Sequence, residues 1–436
     1  MFHGAHGGCN GDGPTPAPRA VAAIHHSSCL AVRGAFIRVA FSPMNPHSGS
    51  FFKEKQLAAF LKHGILSRYL EPFATKTGVA PPHRVMLVDG YAGEGQYADE
   101  TPASPLLLLE VAKRLNGRNR LVECVFVEKV EKTYNTLTAL LAEKAPPGAV
   151  YHALHGEFLQ QLGAVCKLVE GRPTLFFIDP FGRMFPFDDF VDRVLKRTGY
   201  RASATEAIIN FSLKSVWRVG GRFAKGQLSD NAIDRLNGVF GGDWWQAHFK
   251  SNLPASQIAQ VIGEEYMTRV CNAAGYSGWS VKVHPKVGNA PIYLLQAFTR
   301  HPDGMVLFGQ AASGAAEALR REIAVQAEAA AVAAGEFPGL ALSIADNEEA
   351  ALQALYVNRV RENVRAVLDV TTEFYPERRY DEVFEGVLGE ARGTHLTQAC
   401  AQLAADGIIE RATKLLRGGV IRRGPNWAPL KPATPK

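Results

Sequence analysis

The chain has 436 residues, enough for two or three domains and at least one full-sized core. With 47% apolar and 21% charged residues it is not a wholesale disordered chain, and no apolar run approaches the ~20 residues of a membrane span. The 48 Lys and Arg against 42 Asp and Glu leave +6, a mild lean toward anionic partners, while six scattered cysteines with no CxxC argue against a disulfide framework or structural zinc and for a reducing cytoplasm.

Residues 1–48 are rich in Gly, Pro and His and carry little periodic pattern, so they read as a disordered extension, with Met44 a candidate start. Their histidines (His3, His6, His25, His26) read as tail residues rather than metal ligands, and AVAAI at Ala20 to Ile24 is too short for an export signal.

From Phe51 the spacing turns helical through FFKEKQLAAFLKHGILSRYLEPFATKTG, then gives a short buried strand, RVMLVDG. Helices are predicted at SPLLLLEVAKRL, KTYNTLTALLAEKA, LQQLGAVCKLV and FDDFVDRVLKR, alternating with strands at LVECVFVEK, AVYHALHGEF, PTLFFIDPFG and EAIINFS. IYLLQAFTRHPDGMVLF reads as two strands around a hairpin turn at His301 to Gly304. Strands and helices in this alternation predict an α/β protein whose parallel sheet is covered on both faces. Five such units closed by an antiparallel hairpin resemble the class I methyltransferase (Rossmann-like) sheet, although the pattern alone also admits a dehydrogenase.

Residues 311–335 are Ala-rich and read as a helix leaving the domain, and ALQALYVNRVRENVRAVLDV reads as a connecting helix. The last segment has the order of a winged helix-turn-helix: a helix beginning at DEVFEG, a short turn, a second helix after Thr394, then two short strands around Gly418 and Gly419. The chain thus divides into an extension (1–48), an α/β domain (49–325), a helical linker (326–376) and a winged-helix domain (377–430).

The chemistry concentrates at strand ends. In VDGYAGEGQY, Gly90, Gly93 and Gly95 let backbone pass close to a ligand. A dinucleotide fingerprint is disfavoured, because Asp89 would repel a pyrophosphate and Glu128 lies 33 residues beyond Gly95 instead of roughly 20. Asp89 suits the ammonium of a methionine moiety and Glu128 the two ribose hydroxyls, which favours S-adenosylmethionine; a lone strand-end Glu would otherwise read as a solvated acid. Glu157, after Gly156, is placed for the adenine amino group. Asp179, in FIDPFG, sits where open sheets bind ligands and would orient an acceptor nitrogen, or else serves only the turn; Asn210 is a further lining residue. Lys62 and His63 could face the cofactor carboxylate, or else form a solvated helix face.

Two basic stretches point to nucleic acid. Between Arg193 and Lys225 lie eight basic residues (Arg193, Lys196, Arg197, Arg201, Lys214, Arg218, Arg222, Lys225) and one acid, Glu206, with Trp217 and Phe223 interleaved. From Arg411 onward seven more, Arg422 and Arg423 included, occur with no acid and make the expected wing electropositive.

The series KHGIL, VDGYAGEGQY, ASPLLLL, FVEK, FFIDPFG, IINF and FTRHPDGMVLF is similar to the bacterial three-Cys-motif partner proteins over roughly residues 50–430. That resemblance implies a methyltransferase-like fold and a radical S-adenosylmethionine protein with a three-cysteine motif as a partner, in DNA repair or phage-related chemistry. A more distant resemblance is to ribosomal RNA adenine-N6 methyltransferases. It implies that His63 and Glu128 contact S-adenosylmethionine, Gly156 and Glu157 its adenine end, and that Asp179 is catalytic, with a base amino group as acceptor. The chain departs from that pattern where Phe181 replaces the second proline and Gly182 the aromatic of Asp-Pro-Pro-aromatic, so Phe181 is the candidate for stacking on the target base.

Overall fold

A computed structural model describes residues 54–80, 83–97, 100–116, 118, 120–180, 185–197, 204–251, 253–284 and 289–429, all within one compact unit, Ser50–Lys436. The expected N-terminal extension and its start at Met44 lie outside the described residues.

The first half alternates as expected: α1 (Glu54–Thr77), β1 (Arg84–Asp89), α2 (Ser104–Asn116), β2 (Leu121–Glu128), α3 (Glu131–Lys144), β3 (Val150–His155), α4 (Phe158–Leu168) and β4 (Thr174–Ile178). A π-helical segment, Asp189–Leu195, then leads to β5 (Thr205–Ser212). Four helices follow for which no elements were predicted: α5 (Leu213–Ala224), α6 (Asp230–Phe240), α7 (Trp245–His248) and α8 (Ala255–Ala274). The sheet closes with β6 (Ser277–Val283) and β7 (Tyr293–Thr299).

Strand order is β3-β2-β1-β4-β5-β7-β6, with β1 to β5 parallel and β7 antiparallel to both neighbours. This is the class I methyltransferase order. β1 shows why the sheet is covered twice: Val85 and Leu87 enter one core, Met86 and Val88 the other, and all four are buried. Its neighbours are β2 and β4, so the order reverses at β1, and the ends of β1, β2, β4 and β5 meet at one edge.

The hairpin expected around His301 to Gly304 does not form. The antiparallel pair is β6 with β7, and the HPDG stretch instead starts α9 (Pro302–Ala333). His301 Nδ1 accepts the Asp303 N–H, Pro302 occupies the first turn, and Asp303 adds an acid there. The same letters serve a turn or a helix start, and of the apolar run MVLF that follows, Met305, Val306 and Phe308 are buried in the core.

α9 returns as α10 (Leu340–Val370), then come β8 (Glu373–Phe374), a 3₁₀ turn (Pro376–Arg379), α11 (Tyr380–Val383), α12 (Gly393–Ala405) and β9 (Ile421–Arg422). The first helix expected in this segment has four residues, and Gly386 and Gly389, with φ of 77° and 87°, make the turn after it. Of the two strands expected around Gly418, only the second forms. It pairs with β8, and Arg423 bridges to Ile409, while positive φ at Lys414 and Leu416 breaks the segment before it.

One apolar core links α1, α2 and a sheet face with α9, α10 and α12, through Ile65, Leu109, Phe308, Val360 and Leu396. The two long helices α1 and α9 cross closely at Gly64, where an added Cβ would lie 3.1 Å from that of Ala315. No helix among the described residues is long and apolar enough to cross a membrane.

Candidate functional site

The glycine turn is stitched across three strands. Gly90 N–H donates to Phe177 O of β4 at 2.9 Å and Ala92 N–H to Val127 O of β2 at 3.0 Å. Its three glycines do different work. A Cβ at Gly90 would press on the Phe158 ring at 3.0 Å, and one at Gly95 (φ 87°) would strike Leu140 at 2.7 Å. Gly93 (φ 62°) faces open space. No helix N-terminus directly follows the turn: the chain makes an excursion closed by the Gln96–Pro102 bridge before α2 begins at Ser104. The pyrophosphate reading loses its usual support.

Asp89 lies under this turn, fully buried. Its Oδ1 accepts the Tyr91 N–H at 3.1 Å, and Ser104 is near enough to help lower its pKa, but buried Oδ2 has no hydrogen-bond partner among the described residues. Burial, the largest influence, pushes its pKa up to about 6. A buried acceptor left open is a place for a donor, and a cationic one would also keep the acid charged.

Glu128, at the end of β2, is buried and faces the turn. Its Oε2 accepts the Gly93 N–H at 3.0 Å and its Oε1 the Val130 N–H at 2.8 Å, so each oxygen keeps further acceptor capacity. Gly156 N–H donates to Glu128 O at 3.0 Å, with φ of 142°. Glu157 lies further out, half exposed, with Lys129 Nζ 3.5 Å from its carboxylate.

Lys62 is where the structure departs from expectation. Its ammonium does not stand free toward a cofactor carboxylate; it lies 2.5 Å from Asp179 Oδ2. Asn210 Nδ2 donates to the other oxygen, Oδ1, at 2.6 Å. Burial alone would raise the Asp179 pKa, but the Lys62 charge and the bonds from Lys62 and Asn210 more than offset it, so the carboxyl stays below its ordinary value. Burial likewise opposes the charge on Lys62, and Asp179 more than restores it. Asn210 Oδ1 is buried without a partner among the described residues, a second open acceptor on this edge. His63, next on α1, has its Nε2 3.4 Å from the Tyr97 hydroxyl, and burial, then Lys62, lower its pKa to about 4, leaving a neutral imidazole. Tyr97 and Tyr293 are close enough to act electrostatically on Lys62.

Sequence reasoning brought Asp89, Gly93, Glu128 and Asp179 to one edge; it missed Ser104, Tyr97, Tyr293 and the pairing of Lys62. Phe181 lies outside the described residues, as does Gly182.

The basic stretches sort by burial. Lys214, Arg218 and Arg222 are exposed at four-residue intervals on α5, a helix capped by Ser212, the last residue of β5 and two residues after Asn210. Arg218 and Arg222 donate only to nearby carbonyls, and no carboxylate pairs with the three among the described residues. Other members of the run are spent on the fold. Arg193 and Lys196 pair with Asp189 and Asp192, and Arg197 is buried, donating to Thr205, Thr174 and the Val169 and Arg172 carbonyls. Arg201 lies outside the described residues. Trp217 and Phe223, expected to stack on bases, pack half-buried against the core, Phe223 with its ring 5.0 Å from that of Trp245. At the C-terminus, Arg422 pairs with Glu373 at 2.6 Å, and Arg423 donates to the Leu368 carbonyl while lying over Trp427.

No protein-family model matches the chain, and no curated protein matches it. Among solved structures, it is similar to Trm1 from Pyrococcus horikoshii in complex with S-adenosyl-L-methionine, at 10% identity and a TM-score of 0.34 over 59% of this chain and 58% of that one. It is also similar to an O-methyltransferase from Bacillus cereus in complex with SAH, at 15% identity and a TM-score of 0.29 over 57% and 92%. The fold assignment rests on the strand order, not on these likenesses.

Proposed function

We propose that this chain binds S-adenosylmethionine along the β1–β2 edge and methylates nucleic acid. The observation that carries the reading is the buried, unpartnered Asp89 Oδ2 at the start of the glycine turn. Asp89 would hold the ammonium, Glu128 the ribose hydroxyls with its remaining lone pairs, and Gly156 and Glu157 the adenine end. When bound, the cofactor supplies a methyl group on a sulfonium. The protein's part is placement: Asp179 and Asn210, one strand apart on β4 and β5, orient the acceptor, and the α5 stripe holds phosphates beside it. The resemblance to adenine-N6 methyltransferases would make that acceptor a base amino group.

One observation favours a second reading. Both Glu128 oxygens already accept backbone N–H groups, which lets the acid serve the turn alone. The fold would then be a scaffold presenting DNA or RNA, through α5 and a winged-helix-like C-terminus, to a radical S-adenosylmethionine protein of the three-cysteine-motif kind.

Calorimetric titration with S-adenosylhomocysteine, with NAD as control, separates the two. Saturable binding lost in Asp89→Ala/Glu128→Ala supports the enzyme; no binding at high ligand concentration leaves the scaffold.

A further inference from the structure

The charge around Asp179 bears on what is methylated. An amino acceptor attacks as a neutral group and gains positive charge, which a carboxylate alone would stabilise. Here an ammonium 2.5 Å from Oδ2 cancels most of that field, and the pair is shielded from water, with side chains 17% and 7% exposed. A hydroxyl acceptor can use both members of such a pair, the carboxylate to take its proton and the ammonium to face its oxygen. It attacks as its proton leaves, and a fixed ammonium stabilises the negative charge that develops on oxygen. Lys62 is held charged by Asp179, and the next residue, His63, is neutral, so the cation at this spot is Lys62.

We propose that the acceptor is a hydroxyl, which inside a polynucleotide is the ribose 2′-hydroxyl, so that the substrate is RNA. This rests on the methyltransferase reading above. The 2′-hydroxyl donates to Asp179 and accepts from Lys62; DNA lacks the group altogether. In the transfer, the bond from O2′ to the methyl carbon forms as the carbon–sulfur bond breaks, its electron pair leaving on sulfur. The hydroxyl proton passes to the Asp179 carboxylate and from there to water. Asn210 fixes the carboxylate, and its open Oδ1 remains for a further donor on the same nucleotide.

The test uses the purified full chain with methyl-tritiated S-adenosylmethionine and, in parallel, total RNA and genomic DNA from cells lacking the gene. Methylation of O2′ blocks alkaline cleavage of the adjoining phosphodiester, so label is expected in RNA, recovered in alkali-resistant dinucleotides, with none in DNA. Label in DNA, label released in mononucleotides, or unlabelled RNA from a protein that binds S-adenosylhomocysteine overturns the proposal; the first two spare the parent reading, and the third spares only its cofactor site. Failure to bind S-adenosylhomocysteine overturns that reading itself. Lys62→Gln should keep S-adenosylhomocysteine affinity by calorimetry while losing about 10²–10³-fold in transfer, the scale of removing one charge-stabilising donor. Lys62→Arg, which keeps the charge should the neutral variant not fold, is expected to retain part of the transfer. Full transfer by Lys62→Gln would refute the role of Lys62.

Discussion

Lys62 on α1 and Asp179 at the end of β4 meet at 2.5 Å, so a helix that precedes the sheet is pinned to the sheet's fourth strand through its most polar edge. Removing one partner leaves the other's charge buried. Lys62→Met is expected to cost about 3–5 kcal/mol by urea denaturation, and Lys62→Met/Asp179→Asn to recover much of it. Because folding holds the Asp179 pKa below its unfolded value, the pair's contribution is full at neutral pH. It fades as pH falls below about 3.9 and is gone below the folded value. A double variant as unstable as the single one would show that the pair is not what holds α1.

Asp89 gives a pH dependence of the other sign. An acid raised to about 6 when folded weakens the ligand-free fold as pH rises from its unfolded value toward 6, and the burden persists above that. Asp89→Asn should therefore stabilise the ligand-free protein near pH 7 by on the order of 1–3 kcal/mol. Binding runs opposite, since an ammonium needs the charged form. Affinity for S-adenosylhomocysteine should fall below about pH 6, approaching tenfold per pH unit, and Asp89→Asn should bind weakly with no such slope. Equal slopes in both proteins would remove Asp89 from the ligand.

The glycine turn permits a separation of stability from binding. Gly93→Ala and Gly95→Ala share the left-handed backbone penalty of about 1–2 kcal/mol. Only Gly95→Ala also drives a methyl into Leu140, so it should melt lower. Gly93→Ala places its methyl in open space, and should weaken S-adenosylhomocysteine binding more than it lowers the melting temperature.

For nucleic acid, Lys214→Ala/Arg218→Ala/Arg222→Ala should shallow the dependence of log affinity on log salt by about two to three units. Arg422→Ala should change it little, since Glu373 already neutralises that side chain. If the triple variant keeps the parent slope, the α5 stripe does not carry phosphates.

The parallel half of the sheet was legible because buried strands write themselves as short apolar runs, and the acids at their ends stand out against those runs. Helices α5 to α8 were not read. The HPDG stretch was misread because Pro-Asp-Gly chemistry suits a hairpin and a helix start alike, and only the partner strand decides. Arg197 shows the limit for charge runs: in sequence it is one of eight cations, yet it is buried and ties the ends of β4 and β5 to the loops beneath them. The pairing of Lys62 with Asp179 spans 117 residues and leaves no local trace.

The close crossing of α1 and α9 at Gly64 and Ala315 has a further meaning, since Gly64 directly follows Lys62 and His63. The C-terminal third, through α9, α10 and α12, is the back wall against which the lysine's helix is seated. Anything that binds or loosens that wall then has a mechanical route to the ammonium beside Asp179, and Gly64→Ala, which wedges the two helices apart, is the smallest lever on it.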